Sequence, residues 1–157
     1  MVFARAVKAQ KIESENVKVA AWIYAGILTV MVVAQLVAFE DFLPLISSNY
    51  LAHDPYGEAA LIGGLIIFTE IFALPFLLRM TVSPLMRWFS LVCGLIAPAI
   101  WVKLTLEAII TNQFVTNYGL LGSKVPLHSA AVALPLAIVL LGLAIWSAWG
   151  MWPTPKK

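Results

Sequence analysis

Four ionisable side chains, Glu58, Glu70, Lys103 and Glu107, stand within or at the edge of long uncharged runs. The whole chain has 157 residues, of which 62% are hydrophobic and 11% charged. An ordinary soluble domain carries roughly 25% charged residues. A water-soluble globule is therefore excluded, and these four groups have to be judged against hydrocarbon. An acid at mid-membrane costs roughly 2.5–3.5 kcal/mol on insertion scales, so Glu70 must be protonated, paired or turned into a polar cavity.

Glu70 lies eight residues before Leu78, which is about 12 Å along a helix. Lys103 falls on the following, antiparallel run, its α-carbon about 12 Å further outward. Glu107, one turn beyond Lys103, is its easier partner, and Glu58 stands at about the depth of Glu107. The functional reading is a charged or proton-accepting pocket formed by Glu58, Glu70, Lys103 and Glu107, opening outward. The structural reading of the same residues is a polar clasp, with the lysine snorkelling to the interface.

Other chemistry finds little support. Both histidines, His53 and His128, lie outside the apolar runs, and no HxxH, HExxH or ExxH spacing supplies a metal site. Haem ligation within the membrane lacks ligands for the same reason. The single Cys93 excludes an internal disulfide or a CxxC pair, and no nucleophile signature or phosphate loop appears. A formal charge of +2 without a basic block gives nucleic acid no footprint. No catalytic residue or metal ligand is assigned.

The elements that must position these groups are four apolar runs at about 19–39, 58–78, 88–110 and 129–149, each long enough to span a bilayer. The reading is an all-α integral membrane bundle of four transmembrane helices over 19–150, flanked by a tail at 1–18 and another at 151–157. The loop at 40–57 mixes Glu40, Asp41, Pro44, His53, Asp54 and Pro55 with Phe42, Leu43, Leu45 and Ile46. That mixture predicts a short amphipathic helix lying at the outer surface. Ser83-Pro84 predicts a tight turn between the second and third runs, and Thr111 to His128 reads as a polar loop.

Orientation follows from the basic residues. The tails and the Arg79/Arg87 turn hold Arg5, Lys8, Lys11, Lys18, Arg79, Arg87, Lys156 and Lys157, eight of the ten, and the 40–57 loop holds none. By the positive-inside rule both termini are cytoplasmic, and Trp22, Trp88, Trp149 and Trp152 form an aromatic belt at that boundary. Association must come from small residues, since lipid tails are as apolar as leucine. The candidates are Gly26, Gly63, Gly64, Gly94, Gly142 and the pairs Ala133/Ala137 and Ala144/Ala148. Pro75, Pro98 and Pro135 each remove a backbone donor within a run and predict kinks.

The second run contains Thr69-Glu70-Ile71-Phe72-Ala73-Leu74-Pro75-Phe76-Leu77-Leu78 followed by a basic turn. With the outer loop before it, this order of features from Phe39 to Leu127 resembles the MauE/DoxX group of four-helix bacterial membrane proteins. Where MauE-like proteins carry a Cys-Gly segment ending in Phe-Gly, this chain has Asn117-Tyr118-Gly119-Leu120-Leu121-Gly122, with the glycines and no cysteine. No thiol-handling role carries over. The resemblance implies a bacterial inner-membrane protein associated with quinol oxidation, sulfur metabolism or accessory roles in membrane complexes.

The leading expectation is an accessory or scaffold subunit of a membrane complex, without enzymatic activity of its own. Its partners would be the bilayer and other membrane subunits or further copies of the chain. The alternative is a site for a quinone or another lipophilic molecule, with Glu70 as proton acceptor and Trp101 or Phe72 as packing surface; no other cofactor is implied. A proton or ion pathway ranks last, because Ile71 to Leu78 offers no polar chain below Glu70.

Overall fold

The computed structural model describes residue 6 and residues 14–50, 57–111 and 117–152. The elements in chain order are α1 (Glu15–Val37), α2 (Phe39–Tyr50), α3 (Gly57–Leu77), α4 (Pro84–Ile110) and α5 (Ala130–Gly150). All but α2 are long and apolar enough to cross a membrane. Helix α1 begins ahead of its apolar run because Glu15 and Lys18 pair across its first turn. Arg5, Lys8, Lys11, His53, Asp54, Lys156 and Lys157 lie outside the described residues.

The four long helices close into a ring in which α1 touches α3, α3 touches α4, α4 touches α5 and α5 returns to α1. The ends of this ring are chemically distinct. At one end Trp88 stacks edge-on against Trp152 at 5.0 Å, and Gly150 admits Val17 where a side chain would overlap it. That places Lys18, Arg79, Arg87 and the exposed Trp88, Trp149 and Trp152 together. The opposite end carries α2 and the segment from 117 to 129.

The turn at the Arg79 end is built from backbone bonds. Met80 N–H donates to the Pro75 carbonyl (2.9 Å) and Arg79 N–H to the Phe76 carbonyl (3.1 Å), with Arg79 left-handed at φ 57°. This is the double closure that satisfies the last carbonyls of a helix. Helix α4 then starts with Pro84 at its first position, and Ser83 Oγ accepts from Met86 N–H at 3.2 Å.

Helices α3, α4 and α5 continue through Pro75, Pro98 and Pro135, and a neighbouring hydroxyl mends one of the gaps. Pro98 deprives the Gly94 carbonyl of its donor, and Tyr24 Oη–H, reaching across from α1, donates to it at 2.7 Å. Beside Pro75, Phe76 N–H donates to Ser90 Oγ at 2.8 Å while the Ser90 hydroxyl donates to the Ala73 carbonyl at 3.2 Å. Without water, such a repair is what keeps a proline inside an apolar helix tolerable.

Packing follows small residues only in part. Helix α5 buries Ala133, Ala137, Ala144 and Ala148, as their spacing predicts. Gly94 meets Ala73, and Gly63 lets Leu43 and Phe42 approach to 3.1 and 3.3 Å of where a Cβ would stand. Gly26, Gly64 and Gly142 face outward instead, with nothing within 4 Å of that position. The short helix α2 is amphipathic as predicted but is packed rather than loose on a surface. Phe42 and Ile46, one turn apart, are fully buried against the bundle, and Glu40, Asp41 and Pro44 are exposed.

Candidate functional site

Glu70 is fully buried on the inward face of α3. Trp101 Nε1–H, from α4, donates to its Oε1 at 3.0 Å. Gln35 Nε2, from α1, donates to the same oxygen at 3.4 Å and faces the Leu120 carbonyl at 3.5 Å. Three helices and one loop thus meet at one carboxyl group. The arrangement is incomplete: Glu70 Oε2 and Gln35 Oε1 are both buried without a hydrogen-bond partner among the described residues. A buried acceptor left unmade costs roughly 1–3 kcal/mol, so the site holds two unmet demands for a donor in an apolar interior.

The loop that closes this site is a folded plug. Asn117 Oδ1 accepts from Gly119 N–H (2.9 Å) and Leu127 N–H (3.1 Å), and its amide donates to the Gly122 carbonyl (3.1 Å). Gly119 and Gly122 take φ of 74°, a conformation that glycine alone adopts without strain. A Cβ on Gly122 would stand 2.8 Å from the Ala34 carbonyl oxygen, and Gly119 lies against the rings of Phe42 and Trp101. Leu120 is driven to full burial over Gln35.

Of the four residues singled out from sequence, only Glu70 lies at this site. Lys103 follows Trp101 by two residues, roughly 200° around the helix, so it points away when Trp101 points in. Its ammonium pairs with Glu107 at 3.5 Å on an exposed face. Glu58 is exposed in the first turn of α3, about 18 Å along the axis from Glu70. The structure therefore does not gather Glu58, Lys103 and Glu107 around Glu70. Trp101 does reach the carboxyl, as a hydrogen-bond donor in addition to a packing surface. Phe72 stacks on the outside instead, with Phe68 at 4.3 Å and Phe89 at 5.6 Å.

Gln35 and Leu120 were not legible as site residues. The available signal for Gln35 was its being the one amide in the first apolar run. Nothing local marks Leu120, whose role depends on the plug. No protein-family model, curated protein or solved structure matches this chain.

Proposed function

We propose that this chain is a multi-pass membrane protein of the bacterial inner membrane, DoxX-like in character, that binds the polar head of a lipophilic molecule at Glu70. The Lys18, Arg79 and Arg87 end faces the cytoplasm, and both termini lie there. One observation carries the ligand reading: two buried acceptors, Glu70 Oε2 and Gln35 Oε1, stand beside a carboxyl already held in place by Trp101. A quinol offers a hydroxyl donor for one of them, and its ring and tail suit a site between apolar helices.

Binding is tested with the purified chain in nanodiscs titrated with a short-tailed quinol, followed by quenching of tryptophan emission. Glu70→Gln preserves the size of the side chain and still accepts from Trp101, but it brings its own donor to the site. The variant is expected to fold and to bind about tenfold more weakly, the equivalent of one lost buried hydrogen bond. Equal affinity in wild type and Glu70→Gln, or no saturable quenching in either, would remove the proposal.

A second reading, an accessory subunit of a membrane complex, rests on a separate observation. Gly26, Gly64 and Gly142 leave outward-facing gaps on α1, α3 and α5, where another helix can approach closely. Extraction in mild detergent as a particle with no accompanying protein counts against it.

A further inference from the structure

Between α2 and the plug, at the end of the bundle opposite Arg79, lies an open cleft of about 370 Å³. Asp41 and Lys124 line it and are bonded to each other at 2.7 Å. Ser123 and His128 line it beside them, and Leu45 and Pro126 supply apolar wall. The cleft meets the Glu70 site only through the plug, whose Asn117 lines it.

The pair of charges is not consumed by its own contact. Lys124 Nζ carries three donors and the Asp41 carboxylate about four acceptor positions, and their bond uses one of each. Both side chains are more than half exposed, so the bond itself contributes little and is readily bridged by a ligand. The cleft thus offers an ammonium beside a carboxylate. Such a surface repels neither sign and matches both in a molecule that carries an anion and a cation a few bonds apart.

We propose that this cleft binds a phosphoethanolamine group, with the phosphate on Lys124 and the primary ammonium on Asp41. The cleft opens where the apolar helices end, so the same group reaches it most directly on a phospholipid. A primary ammonium donates hydrogen bonds to Asp41, whereas a quaternary one cannot, and a glycerol headgroup brings no cation. The inference uses the membrane placement proposed above and is independent of the Glu70 ligand.

The purified full chain in detergent is titrated with dioleoyl phosphatidylethanolamine, phosphatidylcholine and phosphatidylglycerol, and retained lipid is read by native mass spectrometry. Phosphatidylethanolamine is expected to be retained about tenfold better than the other two, a ratio set by one charged hydrogen bond. Asp41→Asn should abolish the preference over phosphatidylcholine, and Lys124→Gln should weaken phosphatidylethanolamine and phosphatidylglycerol alike. Both positions are exposed, and unchanged quinol titration of each variant separates this site from that at Glu70. Displacement by free O-phosphoethanolamine supports the headgroup chemistry with a soluble ligand as its source; resistance to displacement, with the preference intact, supports the lipid. Equal retention of the three lipids, or a preference that survives both substitutions, overturns the proposal.

Discussion

Two polar layers cross the interior of this bundle, and they differ in whether their hydrogen bonds balance. Near the Arg79 end, Tyr24 meets the carbonyl that Pro98 leaves bare, and Ser90 serves both Phe76 N–H and the Ala73 carbonyl. The Tyr24 hydroxyl answers a defect that a proline created, and the Ser90 hydroxyl ties α4 to the backbone of α3. Further along, Glu70, Gln35 and Trp101 form a layer in which two side chains converge on one oxygen of the third and two polar atoms stay unmet. On the function proposed above, the contrast is between repair and recognition.

Substitutions can break this contrast at several points. The largest effect is expected from Trp101→Ala, which removes a fully buried indole and the firmest donor to Glu70. A loss of about 3–5 kcal/mol, read by unfolding in mixed micelles, follows from the cavity alone. Quinol binding should fall with it, tying that layer to both stability and recognition.

Gly122→Ala comes next, because its φ of 74° and the Ala34 carbonyl at 2.8 Å leave no room for a methyl group. Strain of the left-handed conformation costs about 1–2 kcal/mol before the overlap is counted. Proteolytic cleavage within 117–127 should become faster while the helical content, followed by circular dichroism, stays constant.

Tyr24→Phe sharpens the comparison from the other side. It leaves the Gly94 carbonyl orphaned at a cost of about 1–3 kcal/mol, measured as a lowered melting temperature, but it should leave quinol affinity within a factor of two or so. A large loss of affinity in Tyr24→Phe would merge the two layers into one functional unit. The smallest effect belongs to Lys103→Gln. Its pair with Glu107 is exposed, so the change in stability should stay below about 0.5 kcal/mol, and quinol titration should not register it.

Much of the architecture was readable along the chain because insertion depends on composition averaged over about 20 residues. The four long helices fall within a few residues of the predicted runs, and the gathering of Lys18, Arg79, Arg87 and the tryptophans at one end follows from alternating direction. The amphipathic pattern of α2 also announced itself through Phe42 and Ile46. Sites respond to a different variable. Lys103 and Trp101 are two residues apart, equally deep for practical purposes, yet one faces outward and the other meets Glu70. A depth estimate assigns both to the same neighbourhood, and only rotation about the helix axis tells them apart.

From its residues alone the protein is committed to helices that prefer oil to water, to their number and to a submerged acid that cannot face lipid cheaply. Those are consequences of transfer free energy, a property of each segment taken singly. Which groups attend that acid was decided by the assembled bundle. The meeting of Gln35, Trp101 and Leu120 at Glu70 depends on the relative rotation of three helices and on a loop folded inward by two left-handed glycines. Contacts between segments distant in sequence are set by packing, and packing leaves no local pattern for any one segment to display.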